Sequence, residues 1–343
     1  MFEQQFTQHP SLHGMGLGFI EGEFNEKRTL FHGGGTLMYN TAFYLLPDED
    51  IGVFLTYSGG DHFLHNEVWQ HFLDDFFQEE EGTELESPSG AKERANQYTG
   101  EYHQNRKSVT TSEKIVSLMT GAITVKADED GKLHITHVGE TNEFIEVEPG
   151  IYESMRTERT PDAYGNFKRI VFKEDKNGQM MLMADGPMSY TKAPWYASST
   201  FTMGTLGTII FFIIATLFAW TAITLLRVLR NRKGTANRWT FFAKLTAILY
   251  GVTIMLFLII VLSNGEVSPV YQMPKDAYSS SGDGDAFHFL LYIPVFLSVV
   301  LLFFTGIVWK KRVWRLFGRI HYTMYTAFSL ILVWIFYYWN LFN

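Results

Sequence analysis

Four apolar runs, about Phe201–Leu226, Phe241–Leu262, Phe287–Trp309 and Ile320–Leu341, fill the C-terminal end of the chain. Each reaches the roughly 20 residues with which a helix crosses a ~30 Å hydrocarbon core. They predict a four-helix transmembrane bundle over residues 199–343. Upstream, residues 97–193 carry short β runs: Gly121–Ala127, Lys132–His137, Asn142–Val147, Phe167–Lys173 and Gln179–Ala184. Turns such as Asp130-Gly131, Glu148-Pro149-Gly150 and Lys176-Asn177-Gly178 lie between some of them. That spacing predicts a small all-β domain, an antiparallel barrel or sandwich. In residues 1–80, Ala42–Leu46 and Ile51–Tyr57 are nearly continuous apolar strands joined by Pro47-Asp48-Glu49-Asp50, which suits a sheet covered on both faces. From His62 to Gln78 the spacing turns helical. Leu64, Val68, Phe72 and Phe76 recur every four residues, and Asp61 is the expected N-cap. The stretch 81–96 reads as a linker.

Charge divides the chain at the same place. Residues 1–198 hold 16 Lys/Arg and 32 Asp/Glu, whereas residues 199–343 hold 12 and 4. The acidic part would repel nucleic-acid phosphates, so no nucleic-acid partner is expected. The basic part places Arg227, Arg230, Arg232, Lys233 and Arg238 in the first connection between spans, and Lys310, Lys311, Arg312, Arg315 and Arg319 in the third. The middle connection has Lys275 alone against Glu266, Asp276, Asp283 and Asp285. By the positive-inside rule the first and third connections are cytoplasmic. Residues 1–198 are then extracytoplasmic, in a multi-pass protein of a bacterial cell membrane with the lipid bilayer as its partner. The bundle reads as an anchor, with His288 and His321 at helix ends facing headgroups or water.

No cysteine is present, so thiolate nucleophiles and Cys-ligated metals are excluded. His134 and His137 are three apart on a strand-like run, point to opposite faces and make a poor metal pair. No metal or other cofactor is implied. The opening residues Met1–Pro10 have neither the basic start nor the apolar stretch of an export signal. This predicts that the sequence is the C-terminal part of a longer protein.

Gly16-Leu17-Gly18-Phe19, Phe31-His32-Gly33-Gly34-Gly35, Tyr44-Leu45-Leu46-Pro47 and Gly52-Val53-Phe54-Leu55-Thr56 ending at Ser58 follow one another in the first 60 residues. In order and spacing they resemble the C-terminal end of the serine β-lactamase and penicillin-binding-protein superfamily, in its class C-like branch. The resemblance implies an α/β fragment, the C-terminal strands and helix of a β-lactamase-like domain. The trailing β domain and the spans also look like membrane-bound members. It further implies that His32 orients substrate or shuttles a proton, that Gly33 and Gly34 let substrate lie against the strand, and that the Gly35 N–H is an oxyanion-hole donor. Cell-wall peptides are the implied substrate class.

The family's Ser-x-x-Lys and Tyr-x-Asn motifs are expected before His32, and neither occurs there. Later matches, Ser189-Tyr190-Thr191-Lys192 and Tyr164-Gly165-Asn166, stand in reversed order in the β unit and read as chance. The nucleophile is therefore absent. The expectation is the C-terminal portion of a membrane-anchored serine hydrolase, inactive alone; a mispredicted start, a frameshift or a split gene with a separately encoded N-terminal half would each produce such a sequence. A second reading stays open: a non-catalytic membrane protein whose external domain binds a peptide or partner.

Overall fold

The computed structural model describes residues 1–36, 38–59, 64–77, 85–120, 122–137, 139–155, 167–230, 237–263 and 284–342. The expected cap Asp61 and the Tyr164-Gly165-Asn166 match lie outside them. The chain forms two compact units, Met1–Lys107 with Val116–Ser199, and Ser108–Ile115 with Thr200–Asn343.

The first unit opens with a four-stranded antiparallel sheet of order β1-β2-β3-β4, comprising β1 (Ile20–Phe24), β2 (Lys27–Gly35), β3 (Tyr39–Leu46) and β4 (Ile51–Ser58). Asn25 and Glu26 make the β1–β2 turn at positive φ, 46° and 59°. Helix α1 (Leu64–Phe76) packs on one face only. Ala42, Tyr44 and Leu46 point at it, with Tyr44 stacked 4.5 Å from Trp69 and its hydroxyl donating to Asn66 Oδ1 at 2.9 Å. Two expectations change here. The sheet is not covered on both faces, because alternate residues of β3 and β4 point away from α1 and Phe54 is 64 % exposed. The buried line of α1 is Trp69 and Leu73, while Leu64, Val68 and Phe76 are exposed. Both follow from period: a run apolar at every position has apolar residues on both sides wherever only one side is packed.

Helix α2 (Ala91–Tyr98) occupies the end of the stretch read as a linker. Eight strands follow: β5 (Gly100–Gln104), β6 (Ala122–Ala127), β7 (Leu133–His137), β8 (Glu140–Glu148), β9 (Ile151–Ser154), β10 (Arg169–Glu174), β11 (Met180–Ala184) and β12 (Ser189–Lys192). They close into a barrel in the order β10-β11-β12-β5-β6-β7-β8-β9. Its interior is filled by Tyr102, Phe144, Tyr152, Phe172, Leu182 and Tyr190, and Ala95 and Tyr98 of α2 join that core. The filling leaves a packed core of side chains in place of a ligand chamber. Between β5 and β6, the one-turn helix α3 (Ser117–Thr120) packs against both strands.

One carboxylate of the barrel makes its stability pH-dependent. Glu101 accepts from His103 Nε2 at 2.7 Å, from the Ser199 hydroxyl at 2.6 Å and from the Ser199 backbone N–H at 2.8 Å. Burial raises the Glu101 carboxyl, but these donors outweigh it and hold the group below the ordinary carboxylate range. A carboxyl lowered on folding stabilises above its unfolded pKa, about 4.3. The contribution is lost as pH falls through the folded value. The difference in Tm between wild type and Glu101→Gln is expected to be largest near pH 6 and to shrink below about pH 4.

The second unit holds α4 (Ser199–Leu229) from Thr200 onward, α5 (Arg238–Ser263), α6 (Gly284–Lys310) and α7 (Leu316–Tyr338). All four are long and apolar enough to cross a membrane. The fourth starts before and ends before the run Ile320–Leu341, because Arg312 turns at φ 49°, Arg315 caps α7 and Asn340 leaves the helix at φ 55°. Inside the bundle Ser298, Thr326 and Ser329 are buried beside Tyr250, Tyr322 and Tyr325. His321 does not face solvent at a helix end: it lies between Phe212 and Trp220, 3.2 Å from the Thr216 hydroxyl. Within the same unit Lys114 donates to the Tyr338 carbonyl at 2.6 Å and lies 4.3 Å over the Tyr338 ring, at the end of α7.

Candidate functional site

The candidate residues His32, Gly33, Gly34 and Gly35 are the last four of β2. They are a paired strand: His32 faces Phe43, Gly33 Ala42, Gly34 Thr41 and Gly35 Asn40. Thr36 N–H donates to Tyr39 O at 2.8 Å and closes the hairpin. Antiparallel pairs alternate between hydrogen-bonded and non-bonded. Thr36 and Tyr39 being a bonded pair, Gly34–Thr41 and His32–Phe43 are bonded too, and Gly35–Asn40 and Gly33–Ala42 are not. The amides of Gly33 and Gly35 therefore point away from β3, toward the side of β1. There the β1 ladder has already ended, with Ile20 opposite Phe31. Gly18, at φ +84°, turns the preceding chain, so the Gly16-Leu17-Gly18-Phe19 stretch is a bend leading into β1 and is not itself a strand.

Beside these residues, on the face opposite α1, lies an open concavity of about 340 Å³. His32, Gly33 and Gly34 line it with Gly18, Phe19, Thr41, Phe43 and Phe54; Gly35 lies at its end and is not part of the lining. His32 is exposed. The Thr41 hydroxyl donates to Gly34 O at 3.2 Å, and a Cβ added to Gly34 would stand 2.7 Å from that hydroxyl oxygen. Glycine at 34 thus keeps the floor flat, and free N–H groups line the strand edge. Such an arrangement binds an extended polar backbone or a developing oxyanion. The lining holds no serine, lysine or carboxylate to start a reaction.

The later Ser-x-x-Lys match is elsewhere. Ser189 and Lys192 are the two ends of strand β12; the Ser189 hydroxyl accepts from Asn105 Nδ2 at 3.0 Å and Lys192 Nζ donates to Gln97 O at 2.9 Å. The two side chains are committed separately and form no nucleophile–base pair. Among the described residues no group of His, Asp and Glu is arranged to hold a metal. His134 pairs with Asp128 at 3.2 Å, whereas His137, on the other face of β7, is buried.

Sequence reading missed a second concavity of about 340 Å³, lined in part by Gln4, His13, Glu21, Arg28 and Arg169. Its charges are already matched: Arg28 pairs with Glu21 at 2.9 Å, and Arg169 with Glu153. Gln8 donates to the carbonyls of Ala184, Gly186 and Met188 nearby in sequence to that rim, at 3.2, 2.9 and 2.7 Å. This is a polar latch between the N-terminal segment and the β10–β12 side of the barrel. Such pairs, more than 150 residues apart, leave no sequence signal.

No protein-family model matches the chain. No curated protein matches it either. Among solved structures it is similar to a crystal structure of SurE with D-Leu, at 14% identity and a TM-score of 0.28 over 52% of this chain and 38% of that one. It is also similar to the octameric penicillin-binding protein homologue from Pyrococcus abyssi, at 16% identity and a TM-score of 0.20 over 55% of this chain and 40% of that one. The chain thus spans about two fifths of the length of each. Superpositions this loose fix neither fold nor function. The chain is a protein with four candidate membrane helices, a closed eight-stranded barrel and a four-stranded sheet.

Proposed function

We propose that this chain is the C-terminal portion of a membrane-anchored serine hydrolase of the β-lactamase and penicillin-binding-protein type. It supplies one wall of the site, and the serine, lysine and tyrosine come from the part of that domain outside these 343 residues. The reading rests on one observation: the run His32–Gly35 is a strand end whose Gly33 and Gly35 amides face an edge that β1 does not occupy. In acyl transfer, such an amide stabilises the oxyanion formed when a hydroxyl attacks a carbonyl. The flat glycine floor lets an extended peptide lie against the strand, with His32 at its side. The uncovered face bearing Phe43 and Phe54 is where the complementary half packs, since apolar sheet surface of this kind is ordinarily covered. The basic ends of the helices lie in the cytoplasm, and the sheet and barrel lie outside, where cell-wall peptides are the substrate class.

The test is the coding DNA upstream of the Met1 codon, followed by labelling with a fluorescent penicillin. A frame carrying Ser-x-x-Lys and then Tyr-x-Asn is expected, with labelling only when both pieces are present. Labelling of the 343-residue chain alone would refute the missing nucleophile. Absence of any such frame would sink the hydrolase and leave a non-catalytic membrane protein with a peptide-binding sheet.

A further inference from the structure

The bundle holds a cationic niche against which no described residue of the four spans sets a carboxylate. Lys244 lies six residues into α5, which begins at Arg238, so about 9 Å along the helix from its basic end. Its ammonium sits 5.4 Å from the Trp220 ring of α4. Trp220 is in turn 6.0 Å from the imidazole of His321 on α7. Arg227 lies seven residues, about two turns, beyond Trp220 on α4 and so on the same side of that helix. Three helices thus converge on two cations, an indole and an imidazole.

Every carboxylate of residues 199–343 (Glu266, Asp276, Asp283 and Asp285) belongs to the connection between the second and third spans or to the α6 start beside it, at the opposite end of the helices. The six residues between α4 and α5 that lie outside the described set, 231–236, contain none. Lys244 lies near the start of α5 and these acids follow its end at Ser263 in sequence, so no described acid of the spans adjoins Lys244 or Arg227. A cation set that far along a membrane helix is costly unless it is paired. Where helices are long and apolar enough to cross a bilayer, the anion at hand at that depth is a lipid phosphate.

We infer that Lys244 and Arg227, seated on Trp220, form a site for the phosphate of an anionic phospholipid headgroup. The ammonium and guanidinium pair with the phosphate oxygens, and the indole supports the lysine stem and stacks with its charge. A lysine that only snorkels to the interface shows no headgroup preference. A built site does, and it depends on these two cations more than on the other basic residues at the same end.

The full-length protein in detergent micelles, titrated with phosphatidylglycerol or phosphatidylcholine and read by native mass spectrometry, tests this. Wild type is expected to retain phosphatidylglycerol at least tenfold better than phosphatidylcholine. The double variant Lys244→Gln with Arg227→Gln loses that preference, and Lys244→Arg keeps it. Lys310→Gln with Lys311→Gln, which removes the same charge from exposed positions at that end, leaves it within about twofold. Equal retention of the two lipids by wild type would overturn the site. So would equal loss in both double variants, which would reduce it to bulk charge. Displacement of phosphatidylglycerol by millimolar glycerol 3-phosphate would reassign the niche to a soluble phosphate ligand. Retained Lys244→Arg binding separates loss of the site from loss of the fold.

Discussion

Arg94→Ala will clearly destabilise the barrel, because it strips a fully buried carboxylate of its charge partner, although Arg94 itself is a quarter exposed. Glu146 is fully buried, and Arg94 reaches it with two nitrogens, Nε at 2.9 Å and Nη2 at 2.7 Å. The third donor is the Gly150 N–H at 2.9 Å, where the chain turns at φ +81° between β8 and β9. Without the guanidinium the carboxylate keeps one donor and no charge partner inside a low-dielectric core. Arg94→Lys restores the charge without the two-pronged geometry and recovers part of the loss. Replacing Arg94 and Glu146 together by methionine recovers most of it, leaving about 1 kcal/mol for the orphaned Gly150 amide. Urea unfolding of the detergent-solubilised protein, followed by near-ultraviolet circular dichroism of the barrel tyrosines, measures all three. A urea midpoint unchanged by Arg94→Ala would show that water reaches Glu146 once the arginine is gone.

On the proposed hydrolase reading, Gly35→Pro in the complete enzyme will slow acylation by a penicillin about 10²–10³-fold, the cost of removing one oxyanion donor. Proline deletes the N–H, and at the last residue of β2 its fixed φ disturbs the strand least. Gly35 is not at positive φ, and the residue before a proline prefers the extended backbone that Gly34 already has. The Gly35 amide takes no part in the β3 ladder, so no strand bond is lost. Gly35→Ala, which keeps the N–H and whose Cβ would stand 3.6 Å from Asn40 Oδ1, should retain most of the rate. An unchanged rate for Gly35→Pro, with penicillin labelling intact, would remove this amide from the oxyanion hole.

What the sequence made legible follows from which interactions are local. The four spans and five of the barrel strands announce themselves by their own apolar runs. Strands β5 and β12, Gly-Glu-Tyr-His-Gln and Ser-Tyr-Thr-Lys, do not, because each is short and half polar. They are strands because they pair with each other, Thr191 opposite His103, and so close the barrel. The helical stripe Leu64–Val68–Phe76 was visible, yet α1 is apolar on more than one side and only the sheet decides that Trp69 and Leu73 face it. His32–Gly35 stood out as a motif, but the direction of its amides is set by the register of the Thr36–Tyr39 turn. The lysine niche was invisible, since Lys244 and Trp220 meet only when α4 and α5 pack.

The alternating amides of β2 also write a pattern in time. His32 and Gly34 donate into the ladder and should exchange their hydrogens slowly, while Gly33 and Gly35 trade theirs with solvent at nearly unhindered rates. Anything that comes to lie along that edge, whether peptide, inhibitor or a further strand, must accept from those two amides and slow them together. The glycine run thus carries its own occupancy gauge, readable by amide exchange without any turnover assay.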